Sequence, residues 1–420
     1  MIGDAMPEAP KLEAPAWLLS LAAWLTPQRL RAQAFLLALC LWGVCAVDFS
    51  SPGLFDRAGN IKFQDFLPLY VSARLVAQGR SNALYDQRVA ADEMRAILRQ
   101  PIGVVLPNLY GPQLALFFVP LTRFSFSVAA RIWVALSLLA YFACVYLLWR
   151  NCPGLKLYSG IVLVSALAFP PLFHFFVRGQ ISVLLLLCLT LAFLGFRSGH
   201  TWMAGLALGL LIFKPQFLVA IPLIFLLARA WQALAGVILS ALAQFALTWI
   251  YFGPPVMRSY LDALLHMSRW LSNVELSLAP IQMHSLRSFW TLLIPRPDAA
   301  FALYILSSVV VIAAAAAIWR SSSPLALRFS ALTLAAVLVN PHLFVYDLLV
   351  LAPALLLLAD VSLASLQLPS SAAIRVLLYL SFVLPLLGPL SRWTHLQLSV
   401  VAFSVLLWVL WRAISRAEVL

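Results

Sequence analysis

Few polar residues in this chain are placed where they could do chemistry. Asp65 stands in Phe63-Gln64-Asp65-Phe66-Leu67-Pro68-Leu69-Tyr70, near the start of the longest polar segment. A carboxylate at a membrane surface, facing apolar helices, is a candidate proton acceptor. Arg178 and Lys214 each adjoin an apolar run, and cations in such places suit a bound anion such as a lipid phosphate. Each residue also has a plainer reading. Aspartate is a favoured helix N-cap, so Asp65 also reads as the cap of the short helix that follows it. Long cationic side chains at span ends reach out to headgroups with no further role.

The elements that would hold these groups are apolar helices. The 420 residues are 63% hydrophobic and 10% charged, with mean hydropathy +0.96, whereas a soluble protein carries ~25% charged residues. The expected class is an all-α polytopic membrane protein. A net charge of +13 is spread one or two cations per loop, as membrane topology selects, and forms no basic run for nucleic acid. The five cysteines, Cys40, Cys45, Cys144, Cys152 and Cys188, form no CxxC pair and suggest neither a disulfide framework nor a zinc site. No divalent-metal cluster and no nucleotide fingerprint is present.

Residues 1–31 read as a cytoplasmic N-terminus, with Ala16 to Leu25 lying on the membrane through Trp17 and Trp24. No signal peptide is expected. A first crossing ends near Val47. The segment 48–131 follows as a first extracytoplasmic loop with helical pieces at 65–78 and 86–100 and a re-entrant piece from Gln113 to Leu121. Apolar runs then occupy 132–149, 157–177, 179–196, 198–213, 215–228 and 230–252. A second extracytoplasmic loop covers 253–298, and further runs cover 299–319, 325–340, 343–359, 376–391 and 393–411. About twelve crossings are expected, within a range of ten to thirteen, with a cytoplasmic tail at 413–420. With the N-terminus in the cytoplasm, every cytoplasmic connection carries a cation, from Arg150 and Lys156 through Arg375 to Arg412 and Arg416. Arg178, Lys214, Arg258, Arg269, Arg287, Arg296 and Arg392 fall on the other side and break the rule.

These pieces, in order, resemble glycosyltransferase family 87. Asp65, Tyr70, Gly79 and Leu84-Tyr85-Asp86 are similar to the family's D…Y…G…LYD opening. Tyr110-Gly111-Pro112 stands where many members show Tyr-Pro-Pro. Arg178-Gly179-Gln180 resembles its Gly-Gln motif, and Gly205, Gly209 and Lys214-Pro215-Gln216 its small-residue helix ending in Lys-Pro-Gln. Arg229-Ala230-Trp231, Phe252-Gly253-Pro254, Gln282-Met283-His284-Ser285 and Asn340-Pro341-His342-Leu343-Phe344-Val345-Tyr346-Asp347-Leu348 complete the series. The resemblance spans roughly 33–360.

The resemblance implies a GT-C-like transmembrane domain over 32–412 in a bacterial-type plasma membrane, working on the extracytoplasmic face. It implies inverting transfer of a hexose, commonly mannose, from a polyprenyl-phosphate-sugar donor to a lipid or glycan acceptor; no cofactor is expected, and the residues, a lone Asp with scattered His, suggest no metal site. Asp65 would be the catalytic base. Gln64 before it departs from the paired acids of related arabinose-transferring enzymes. Tyr70, Tyr85, Arg178, Gln180, Lys214, Gln216, His284 and His342 would bind substrate: the cations on phosphate, Gln180 and Gln216 on sugar hydroxyls, His342 on phosphate or acceptor. Asp347, just inside a span, is expected to pair with a cation or cap a helix. Two other classes compete, a transporter or flippase of a lipid-linked sugar and a lipid-linked glycan ligase. A transporter predicts inverted repeats, and the sequence shows none.

Overall fold

The computed structural model describes residues 15–100, 108–278, 281–364 and 369–417, with backbone alone at 267–278, 369–370 and 416–417. Residues 1–14 of the expected N-terminal segment and 418–420 of the expected tail lie outside these. Among the described residues the regular elements are all helical, and β-pairing is confined to two isolated bridges, Phe55 with Ile61 and Met283 with Phe344.

Among the described residues, seven helices are long and apolar enough to cross a membrane: Pro27–Phe49, Phe126–Trp149, Trp231–His266, Pro297–Arg320, Val345–Ala364, Ser371–Thr394 and Leu398–Ser415. An eighth span is a pair, Pro153–Leu167 and Pro170–Arg178, bent by 43° where Pro170 and Pro171 interrupt the backbone ladder. Five shorter apolar helices complete the set: Leu67–Ala77, Ser182–Arg197, Thr201–Phe213, Pro215–Leu227 and Leu325–Leu338. Seven or eight spans by length among the described residues do not confirm the expected count of about twelve crossings, and the other apolar runs are helices shorter than ~20 residues. Leu325–Leu338 is one of these shorter helices. Ten of its residues are buried, so its hydrophobicity serves packing against neighbouring helices.

The outer faces are apolar: Leu139, Leu247, Ile250 and Leu306 are all strongly exposed, which suits lipid contact. Helix Ala16–Trp24 also shows Trp17 and Trp24 outward. Inside, small residues allow close approach. Gly205 and Gly209 lie against Ala233, Gly236, Val237 and Ser240 of the long helix starting at Trp231, leaving no room for a Cβ, as in small-residue helix interfaces generally. That long helix breaks at Gly253, φ 77°, ahead of Pro254 and Pro255.

The expected first loop, 48–131, is in part a packed element. Lys62 Nζ donates to the Phe49 carbonyl at 3.1 Å and closes the first turn region. Helix Leu67–Ala77 has eight buried residues and packs on helix Pro112–Phe118 and the 3-10 turn Val119–Arg123. Phe66, fully buried, stacks against Phe126 and Trp133 and meets Phe118 edge-on, with centroids 5.4–6.4 Å apart. Helix Gln87–Leu98 is capped by Asp86, whose carboxylate accepts from the Arg88 and Val89 amides.

Candidate active site

Asp65 does not cap the helix behind it. The N-cap of Leu67–Ala77 is Phe66, and no side chain caps that end. The Asp65 carboxylate turns instead toward the end of helix Pro170–Arg178, because the backbone fastens the two segments together. Phe63 donates its amide to the Val177 carbonyl at 3.2 Å, and Asp65 to the Arg178 carbonyl at 3.0 Å. Phe63 takes a left-handed φ of 56° to make this turn, a strained choice for an aromatic residue. Gly179 ends the helix at φ 68°, and a Cβ there would come within 2.9 Å of the Phe63 Cβ. Glycine is needed on both counts.

Gln180 then meets Asp65 directly. Its Nε2 donates to Asp65 Oδ2 at 2.8 Å. Its Oε1 accepts from the Tyr110 hydroxyl at 3.2 Å and from the Ile181 amide at 3.1 Å, and its carbonyl accepts from Trp133 Nε1 at 3.2 Å. The amide oxygen is thus committed twice within the protein, and the Gln180 side chain orients Asp65. Arg178 NH1 stands 3.8 Å from Asp65 Oδ1, and NH2 donates to Gln282 Oε1 at 3.3 Å. Its side chain is 26% exposed, so part of its five-donor fork remains open to a ligand.

Asp65 is 8% exposed. Burial pushes its carboxyl above its ordinary value; the Arg178 charge and the Gln180 hydrogen bond pull it part of the way back, with Lys214 lowering and Asp347 raising it further off. The Tyr110 phenol is pushed up by burial, then by Asp347 and Asp65, so it stays protonated and donates.

A second couple adjoins the first. Lys214 Nζ pairs with Asp347 Oδ1, and both residues are buried, at 5% and 1% exposure. Ser182, two positions beyond Gln180, donates its hydroxyl to the same oxygen at 2.6 Å. Lys214 Nζ also lies 5.4 Å from the Tyr346 ring centroid. Asp347 Oδ2 is buried with no hydrogen-bond partner. Lys214 occupies the break between 3-10 helices Leu210–Phe213 and Pro215–Leu218, at ψ 72°, as expected for a residue held out of helix by a following proline. The expected pairing of Asp347 with a cation is found, and the cation is Lys214.

The remaining expected residues spread around these couples. Gln216 is half-buried in the turn after Lys214. His342 is half-buried, its amide bonded to Asn340 Oδ1 at 2.9 Å and its ring 4.8 Å from Phe344. Tyr70 is buried, with its hydroxyl donating to the Phe124 carbonyl at 2.7 Å. Tyr85 donates to the Tyr110 carbonyl at 2.8 Å and packs on Tyr260, so it holds the stretch of chain that carries Tyr110. His284 is 1% exposed. Its Nδ1 is 2.7 Å from Ser399 Oγ, its amide donates to the Leu343 carbonyl, and burial, with His174 nearby, pushes its imidazole down to about 3. It clamps the second polar segment and is not bonded to either acidic couple. Among the described residues no three of His, Cys, Asp and Glu gather to hold a metal ion.

Sequence reasoning about substrate contacts missed Ser182, Tyr110 and Tyr346 as members of this cluster. One signal was legible for Asp347: an acid inside an apolar run needs a partner.

Residues 108–341, more than half of the chain, match the sequence profile of glycosyltransferase family 87. The matched span holds Tyr110, Arg178, Gln180, Ser182, Lys214, Gln216 and His284. Asp65 precedes it, and His342 and Asp347 follow it. No curated protein and no solved structure matches the chain significantly.

Proposed function

Because the chain belongs to glycosyltransferase family 87, an integral-membrane glycosyltransferase by its helices, we propose that it transfers a hexose, mannose in the first instance, from a polyprenyl-phosphate donor to an extracytoplasmic lipid or glycan acceptor. The observation that carries this reading is the buried Asp65 carboxylate, oriented by Gln180 and set 3.8 Å from the Arg178 guanidinium. A base and a partly open cation side by side are what a displacement at a glycosyl phosphate requires.

In the proposed reaction the acceptor hydroxyl gives its proton to Asp65 as its oxygen attacks the anomeric carbon. The bond from that carbon to the phosphate oxygen breaks, the electron pair leaves with the phosphate, and the configuration inverts. A carboxyl raised by burial is a stronger base than an exposed one and lies closer to working pH. Charge grows on the departing phosphate, where a preorganised cation stabilises the transition state. Arg178 is the better placed of the two expected cations, since it retains open donors and forks onto two oxygens. Lys214 is already paired with Asp347 and contributes as a point charge behind the site. The leaving group is already a phosphate, so no separate acid, cofactor or metal is invoked.

Purified protein in detergent, given radiolabelled polyprenyl-phosphate-mannose and a total lipid extract, should yield a labelled product that requires both. Failure with mannose but transfer from another polyprenyl-phosphate hexose would correct the sugar. Failure with every polyprenyl-phosphate hexose would remove the donor class.

A further inference from the structure

A cavity of about 620 Å³ lies far from Asp65, between the first long helix, the 153–169 segment, helix Ala352–Ala364 and the 371–394 span. Its place follows from the first helix. Phe49, at that helix's end, packs on Phe63 beside Asp65, with centroids 5.3 Å apart. The cavity is lined instead by Pro27, Leu30, Ala34 and Leu37 from the helix's beginning. Pro27 and Phe49 are about 33 Å apart at 1.5 Å per residue, so the cavity lies toward the end of the first helix away from Asp65. Its size falls among ligand-binding cavities, ~300–1,000 Å³.

Most of the wall is aliphatic or aromatic, including Phe169 and Phe382, stacked at 5.6 Å. Hydroxyl groups of Ser165, Ser362, Tyr158 and Tyr379 interrupt it, and two further polar side chains stand apart from these. Gln33 and Arg375 both line the cavity, and Gln33 Oε1 and Arg375 Nε are buried with no hydrogen-bond partner. No carboxylate among the described residues forms an ion pair with Arg375. The nearby Asp360 turns its Oδ1 to the Gly154 amide instead. A buried, unpaired guanidinium nitrogen is costly, and so is an orphaned amide oxygen. Together they ask for a ligand that brings one anionic acceptor, one donor and an apolar chain.

We propose that this cavity binds an anionic phospholipid with a hydroxylated headgroup. Its phosphate meets Arg375, a headgroup hydroxyl donates to Gln33 Oε1, and an acyl chain lies along Leu30, Ala34 and Phe169. A polyprenyl phosphate brings the anion and the chain but lacks the headgroup hydroxyl, so it satisfies only Arg375. This site is separate from the one around Asp65, and its test reads binding rather than transfer.

The full-length protein is purified in detergent, incubated with phosphatidylglycerol or with polyprenyl phosphate, and examined by native mass spectrometry. The wild type is expected to retain one phosphatidylglycerol in preference to polyprenyl phosphate. Arg375→Gln removes the cation, and Ala34→Phe fills the cavity with apolar volume. Each should lower phosphatidylglycerol occupancy about tenfold, while Leu239→Phe on the outer face leaves it unchanged. Should Arg375→Gln lower the melting temperature, Ala34→Phe decides alone. Equal retention by the wild type and Ala34→Phe overturns the proposal, and so does a wild-type preference for polyprenyl phosphate.

Discussion

Replacing Asp65 with asparagine separates catalysis from architecture, because the two roles have different magnitudes here. The carboxylate has two side-chain partners, Gln180 Nε2 at 2.8 Å and Arg178 NH1 at 3.8 Å, and it caps no helix. In Asp65→Asn the amide oxygen still accepts from Gln180. A charge-assisted bond of ~1.5–3 kcal/mol becomes a neutral one of ~0.5–1.5 kcal/mol, a loss of about 1 kcal/mol. Losing the long ion pair is offset, because a buried carboxylate no longer has to be desolvated. The expected melting temperature therefore stays within a few degrees of the wild type. Transfer should fall by ~10²–10⁴-fold, the usual share of a general base, or roughly 3–5 kcal/mol at 1.36 kcal/mol per decade. Donor binding should persist, since Arg178 is intact. Product formation from labelled donor, measured beside a thermal melt, reads both quantities on one preparation. Full transfer by Asp65→Asn would falsify the assignment of this residue as base. A large fall in melting temperature, with transfer lost in proportion, would instead make Asp65 a structural residue.

Three further outcomes follow from the same geometry. Lys214→Ala should destabilise the protein by about 3–5 kcal/mol, because it leaves Asp347 buried without a counter-charge; the double change Lys214→Met with Asp347→Leu should recover most of the melting temperature, and an unaltered melt in the single variant would show that the couple is not structural. His284 is held at about 3 in the fold, whereas an unfolded histidine titrates near ~6.5. The unfolded chain binds the extra proton between these values, so the stability that His284 contributes is lost as pH falls through that window; His284→Asn should flatten the acid limb of a melting-temperature profile between about pH 6.5 and 3, and an unchanged limb would point to other groups. The rate of transfer should show an acidic limb above the ordinary carboxylate value of 3.8, as burial raises Asp65, and a rate profile flat down to pH 4 would contradict that placement.

Asp65 was legible in the sequence as an acid opening a helical piece, but its partner was not. Capping was the local reading, and it failed because Phe63 turns left-handed and swings the carboxylate away from the helix axis toward Gln180. That turn depends on Gly179, distant in sequence, so no window around residue 65 reveals it. Arg178 and Gln180 stood out as polar groups beginning an apolar run. That they converge on Asp65, rather than face headgroups, is a tertiary fact. Lys214 and Asp347 each stood out, one as an outward cation and one as an acid inside a span. Their union changes the reading of Lys214, since a neutralised lysine binds phosphate less freely than an open one. The helical class was plain from hydropathy. The burial of a short apolar helix such as Leu325–Leu338 among its neighbours was not legible, because hydropathy does not distinguish a helix packed on other helices from one that meets lipid.

The seam between residues 63–65 and 177–178 is made of main-chain hydrogen bonds, and it acts as a ruler. The peptide backbone sets how closely residues 65 and 178 approach, and their side chains then meet at 3.8 Å. A tilt of the helix ending at Arg178 would carry Asp65 with it, so the two charges keep their spacing. The break at Gly253, in the long helix that starts at Trp231, lies outside this seam.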